Sequence, residues 1–309
     1  MELNTRILTT SQLNDFSIKN ADAVYLGDPF SPSYPGNLCY EKHNLKEAVA
    51  KIVSQGKKAY ISTFSVPRNS DLPAIEEQLK YIKAEIPEIS AIEVHNTGVL
   101  QAVNEILPSM PVHMGCLSNI YTDSTVHLLK SFGVERVVPN PELSLEEMEL
   151  IGKNCRIEVQ ILIHGRLVLG ISEECPVKWW LDSQKPGQSV IDDFCSKPVN
   201  LDSDKMQLTV RGRTTLSGKD VCMLEHIPEL AEKGFTHLHI DSSVMSSEQF
   251  NHTLEIYRKA VTLWIETSDK NKYRDFSKHH INEFLSMNPT GLCNGYYFRT
   301  SGSEYVPAG

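Results

Sequence analysis

Seven cysteines and one histidine at a strand end are the residues whose types best suit chemistry. The thiols stand at 39, 116, 155, 175, 195, 222 and 293. An odd number in a chain expected to be cytoplasmic reads as free thiols, not as a disulfide framework. No Cys-x-x-Cys pair occurs, so a shared metal would need thiols from separate loops to converge. Four such thiolates can hold an iron–sulfur cluster or a zinc ion. Cys39 and Cys195 occupy loops without apolar periodicity, which favours a ligand role over burial. Cys222 is spaced with Leu224 and Ile227 as a core residue would be, and Cys155, between a helix and a strand, reads as structural.

The histidine is His164. It ends the apolar run 157–163 and opens His164-Gly165-Arg166. It could be a base, a donor or a hydrogen-bonded turn residue. Glu93 and His95 lie two apart and would face one side of a strand, either as site groups or as a solvated rim pair. Arg211-Gly212-Arg213 could grip an anion or form a solvated turn. Trp179-Trp180 could stack on a planar substrate or pack the surrounding loop. No Gly-x-Ser-x-Gly elbow is present, so no Ser-His-Asp triad can be picked out.

Short apolar runs alternating with helix-period segments must position these residues. Strands are expected from Ile7-Leu8 and at 23–26, 59–64, 91–94, 112–114, 136–138, 157–163 and 237–240. Helices are expected near 11–19, 44–55, 72–85, 97–106, 123–132, 219–233 and 246–265. Another starts at Ser144, where Glu147 completes a capping-box pattern. Eight strands alternating with helices predict parallel βαβ units and a (β/α)8 TIM-barrel-like fold. A doubly wound sheet is the alternative, but no Gly-rich dinucleotide fingerprint follows the first strand. A barrel places catalytic groups at the carboxyl ends of its strands. Cys39, His95, Cys116, His164 and Asp241 would share that rim, and a long irregular insertion over 165–217 would cover it. Residues 1–268 form the expected barrel domain, and 269–309 a polar linker and C-terminal segment that opens on a solvated loop.

The 309 residues carry 40% hydrophobic and 22% charged side chains and a formal net charge of -9. That is ordinary globular composition, and the chain is long enough to bury a core without staples. The acidic balance argues against broad, sequence-blind nucleic-acid binding. No stretch approaches the roughly 18 apolar residues of a membrane span. The first residues have neither a basic nor an apolar leader region, which makes a cytoplasmic location the expectation.

Several stretches together resemble the peptidase U32 (collagenase-like protease) family. They are 20–27, Gly133 to Val138 with Leu143 to Glu147, His164 to Leu167 leading to Cys175, Ser217 to Cys222 with Glu225 to Leu230, Met245 to Glu248, and Gly295 to Phe298. The resemblance implies a barrel-like α/β fold. It also implies either proteolysis or an iron–sulfur protein for oxygen-independent hydroxylation, of tRNA or ribosomal RNA bases in some members and of quinone precursors in the paired UbiU and UbiV type. The family's first loop cysteine is Val168 here, while Cys175 and Cys195 match the next two. Cys39 lies in the loop from which UbiV takes a substitute ligand. The resemblance thus implies a 4Fe-4S cluster on Cys39, Cys175, Cys195 and a fourth residue, Cys222 or Cys116, with Cys222 the leading choice. A quinone precursor is the expected substrate, ahead of RNA. The hydrolase alternative would use His164, Glu174 and Asp241, with a divalent metal and a peptide substrate. A third reading is a non-catalytic partner in a heterodimer with a paralogous U32 protein. After the eighth strand the family commonly has an acid, a glycine and an arginine; here Asp241-Ser242-Ser243 lacks the arginine.

Overall fold

The computed structural model describes residues 1–31, 36–184, 197–203 and 207–308. In chain order it begins β1 (Glu2–Ile7), α1 (Thr10–Asp15), β2 (Ala23–Leu26), α2 (Lys42–Ser54), β3 (Lys58–Ser62), α3 (Leu72–Glu85), β4 (Ala91–Val94) and α4 (Thr97–Ile106). It continues with β5 (Val112–Met114), α5 (Asp123–Ser131), β6 (Val134–Val137), α6 (Leu145–Cys155) and β7 (Glu158–Gly165). Then come β8 (Val168–Ile171), α7 (Pro176–Gln184), β9 (Pro198–Asp202), β10 (Gln207–Arg211), β11 (Thr214–Ser217), β12 (Asp220–Cys222), α8 (Ile227–Glu232) and β13 (His237–Ile240). The chain closes with α9 (Ser247–Thr267), α10 (Lys270–Met287) and β14 (Leu292–Cys293).

β1 to β7 pair in sequence as parallel neighbours, and β13 joins β7 to β1 through Leu238↔Ile161 and Leu238↔Leu3. The eight strands therefore close into the expected (β/α)8 barrel. Their outward residues, such as Leu3, Val24, Ile61 and Ile92, pack with the helices into one large apolar core. Ser144 caps α6 with reciprocal Glu147 bonds, as its spacing predicts. Among the described residues no helix is long and apolar enough to cross a membrane.

Three expectations need correction. The insertion is not irregular: β8, β11, β10 and β9 form a four-stranded antiparallel sheet flanked by α7. The helix expected at 219–233 is a strand, a short 3-10 turn and a six-residue helix, because Val221 and Cys222 pair antiparallel with the end of β7. The tail does not open on a solvated loop. Asp269 caps an 18-residue α10 by accepting from the amides of Asn271 and Lys272. Tyr273, Ser277 and Phe284 line its buried face at helical spacing.

The barrel interior is polar, unlike the branched apolar filling common in this fold. Glu2, Arg136 and Glu158 pair at the amino-terminal end. Above them Gln160 accepts from Asn4 at 3.1 Å and from Tyr25 at 2.9 Å, and His113 Nδ1 lies 2.7 Å from the Tyr25 hydroxyl. Burial pushes the pKa of His113 and His239 down to about 3, so both are neutral imidazoles in this layer.

Candidate active site at the carboxyl ends of the barrel strands

Strand alternation aims Glu2, Asn4 and Arg6 of β1 inward, and Arg6 is the last of them. Its guanidinium reaches across the barrel to β4 and donates to both carboxylate oxygens of Glu93, each at 2.8 Å. Ser62 of β3 donates to Glu93 at 2.6 Å. His95 Nε2 lies 3.5 Å from the same carboxylate. Glu93 and His95 are 2% and 5% exposed, so they form a buried cluster and not a solvated rim pair. Burial opposes the Glu93 charge, but Arg6, then His95 and Ser62, hold its pKa well below the usual carboxylate range.

Phe30 closes over this layer, with its ring 5.3 Å from His95 and 5.9 Å from the Arg6 guanidinium. Arg6, Glu93, Cys116, His239, Asp241 and Phe30 help line a cavity of about 80 Å³. Burial raises the Asp241 carboxyl above its ordinary range, against the bond from Ser243 and the charges of Arg6 and Arg211. Ser243 Oγ donates to Asp241 at 2.5 Å, and Ser242 Oγ to the Arg6 carbonyl. The cavity thus holds a fixed cation–anion pair, a carboxyl raised by burial, and a thiol whose pKa burial pushes up to about 12. Such a site can hold a small ring between a charged pair and an aromatic lid.

A second, wider cleft of about 420 Å³ opens beside it, lined by Cys39, Phe64, Glu173 and Arg213 among others. Cys39 is buried and its thiol donates to the Ser62 carbonyl at 3.1 Å. Burial and the nearby Asp28 raise its pKa. Glu173 pairs with Arg68 and Arg213. Two residues on, the buried Cys175 accepts the amide of Lys178 at 3.5 Å. Arg211 and Arg213 are likewise buried. Arg211 binds Asp28 at 2.5 Å and Arg213 donates to the Ser172 carbonyl at 2.7 Å, so that segment is not a solvated turn.

His164 and Cys222 are elsewhere. A register shift between His239↔Leu162 and Ile240↔His164 inserts Ile163 as a bulge, which re-aims the side chain that follows. His164 therefore packs between Tyr257 of α9 and Phe284 of α10, with ring centroids at 5.5 and 4.5 Å. The Tyr257 hydroxyl lies 3.3 Å from His164 Nδ1 and 3.6 Å from Cys222 Sγ, and donates to the Ile163 carbonyl at 2.7 Å. Burial lowers the His164 pKa to about 3. Glu174 is exposed and Asp241 is in the inner cavity. The structure does not bring the side chains of His164, Glu174 and Asp241 together, and among the described residues they form no group able to share one ion. Cys195 lies outside the described residues. Cys155 is buried beneath α5, as a structural residue would be. Trp179 and Trp180 do not pack their loop; they are 64% and 55% exposed.

Arg6, Asn4 and Gln160 escape a reading based on apolar runs. Their signal is a polar residue at every second position of a strand otherwise buried.

The fold and this cavity define an α/β-barrel protein with a pocket at the carboxyl ends of its strands, in which a few buried charged groups are set in a largely apolar wall. The chain belongs to peptidase family U32, whose sequence model it matches over residues 9–307. It is 28% identical over 292 residues to the uncharacterized protease MJ0090 of Methanocaldococcus jannaschii, covering 90% of this chain and 68% of that protein. It is 24% identical over 332 residues to tRNA hydroxylation protein P of Escherichia coli, covering 92% and 72%. The solved U32 peptidase Mk0906 superposes with a TM-score of 0.48 at 13% identity, over 78% of this chain and 92% of that one.

Proposed function

We propose that this chain takes part in oxygen-independent hydroxylation of an RNA base, bound in the Arg6–Glu93–Asp241 cavity. The observation that carries the reading is that cavity: small, polar at its floor, roofed by Phe30, and at the catalytic end of the barrel. It is too small for a polypeptide strand. The relatives named as tRNA hydroxylation proteins support the RNA choice. The net charge of -9 favours a second reading, a small quinone precursor in the same cavity. Total tRNA from cells with and without the chain, digested to nucleosides and weighed, separates the two. Loss of one hydroxylated nucleoside is the expected result. Unchanged tRNA with an altered quinone profile would move the assignment to the second reading.

A 4Fe-4S cluster would supply one-electron redox chemistry beside this cavity. Cys39 and Cys175 fit as ligands: both are buried free thiols, Cys39 lining the cleft that holds Phe64 and Arg213 and Cys175 standing two residues after Glu173 of the same cleft. Cys195 is the third by family match. For the fourth, Cys116 fits better than Cys222. Cys116 and Cys39 both feel the charges of Arg6 and Glu93, whereas Cys222 is surrounded by Tyr257, Asp220 and Glu225. After anaerobic purification, Cys116→Ser is expected to lose most of its iron and Cys222→Ser to keep it. The reverse pattern would return the assignment to Cys222.

A further inference from the structure

We infer that the outer face of the α9–α10 hairpin is a binding site for a divalent first-row transition metal. His279, His280 and Glu283 are its ligands, and His252 orients the carboxylate. This site is remote in role from the barrel cavity and does not depend on the hydroxylation reading.

Three histidines converge on one carboxylate. His279 and Glu283 are four apart on α10, and His280 and Glu283 are three apart, so both imidazoles sit one turn from the same side chain. His279 Nε2 lies 3.0 Å and His280 Nδ1 3.2 Å from Glu283 Oε1. From α9, His252 Nε2 lies 2.8 Å from the other oxygen, Oε2. The ligand atoms of His279, His280 and Glu283 all fall within 4.8 Å of one another. A tetrahedral zinc with bonds of about 2.0–2.1 Å separates its ligand atoms by roughly 3.3 Å, close to the 3.0 and 3.2 Å at which the two imidazole nitrogens stand from Glu283 Oε1.

Two details point to a ligand and not to a surface salt bridge. Both members of the α10 pair that approach Oε1 are imidazoles, and no lysine or arginine contributes. His280 is also set for a purpose: its side chain is 15% exposed and held against the Phe276 ring at 4.4 Å. Its buried Nδ1 makes no well-formed hydrogen bond. A nitrogen aimed beside, and not along, the line to its neighbour is placed for a shared third atom. Imidazole donors select zinc, nickel or copper over magnesium or calcium. His252 reproduces the outer hydrogen bond that ordinarily fixes a ligating side chain. The ion's link to α9 runs through His252, which hydrogen-bonds the Glu283 carboxylate.

Calorimetric titration of the full chain, free of any polyhistidine tag, with Zn²⁺ alone tests this. With the thiols blocked by alkylation, we expect one site whose affinity falls at least tenfold in Glu283→Gln and in His279→Ala. The thermal midpoint of the wild type should rise with zinc and that of both variants should not. His279 is 74% exposed, so its removal leaves folding intact and the result interpretable. Co²⁺ at this site should give ligand-field absorption without a thiolate charge-transfer band, and Mg²⁺ should not compete. Unchanged zinc affinity in the His279→Ala/His280→Ala double variant overturns the site. So does cobalt binding seen only as a thiolate band.

Discussion

Replacing Arg6 with alanine is expected to destabilise the fold by about 3–5 kcal/mol, the scale for removing one partner of a buried ion pair. The residue left behind decides the size. Glu93 is 2% exposed and takes both of its strong donors from Arg6, with Ser62 and His95 as lesser support. Without the guanidinium its charge stays in a medium that cannot solvate it. The double variant Arg6→Met/Glu93→Leu should recover most of the loss, because an apolar pair of similar volume carries no desolvation cost. Urea unfolding of the three proteins checks this. A single variant that loses less than about 1 kcal/mol would mean that the pair is solvated, as exposed pairs of that worth are. The same contact sets an acid dependence. The folded Glu93 pKa is well below 4.5, and that of Glu2, where Arg136 and Lys58 outweigh burial, is lowered to about 2. A depressed folded pKa gives stability that is complete above the unfolded value and is lost as pH falls toward the folded one. The urea midpoint should therefore hold above about pH 5 and decline steadily from about 4.5 downward. Arg6→Ala should show a shallower decline, since its Glu93 no longer titrates abnormally low.

That interior was the part of the molecule hardest to see in the chain. Strands at 23–26, 91–94, 112–114 and 237–240 are found where apolar runs place them, because their outward faces supply the large core. The inward faces carry a different code. Gln160 sits inside Glu158-Val159-Gln160-Ile161 and Asn4 between Leu3 and Thr5, so each looks like noise in an apolar run. Only closure of the barrel makes them neighbours. The α10 helix is obscured by polarity: its exposed face outnumbers Tyr273, Ser277 and Phe284, and the Tyr273 bond to the Leu224 carbonyl is tertiary. The insertion sheet is obscured in another way. Arg211-Gly212-Arg213 looks like an anion grip, yet Gly212 and Arg213 are the two-residue turn joining β10 to β11. For the site, residue types were legible and directions were not. Asp241 was placed on the rim by strand position alone. The bulge at Ile163, which turns His164 into the helix layer, leaves no mark in composition or period.

Gly165→Ala is expected to cost about 2–4 kcal/mol, combining backbone strain with overpacking, and to abolish activity at the cavity. Gly165 ends β7 with φ at +113°, where L side chains rarely settle. An added Cβ would stand 2.6 Å from the Asp241 carbonyl oxygen and 2.9 Å from the Asp241 Cβ. Neither atom is the tip of a flexible chain. Asp241 is also tied to this point by its own amide, which donates to the His164 carbonyl at 2.9 Å. Relief therefore requires β7 and β13 to part at their carboxyl ends, and Asp241 would leave the wall it shares with Arg6 and Cys116. Two controls divide the effect. Gly56→Ala has a positive φ but open space around the new methyl, and should cost only about 1 kcal/mol of backbone strain. Gly170→Ala has neither, and should stay within about 0.5 kcal/mol of the parent. Thermal unfolding ranks the three, and nucleoside analysis reads the cavity. If Gly165→Ala matched Gly56→Ala in stability and kept full activity, Asp241 would not be held by this contact, and its part in shaping the cavity would have to be given up.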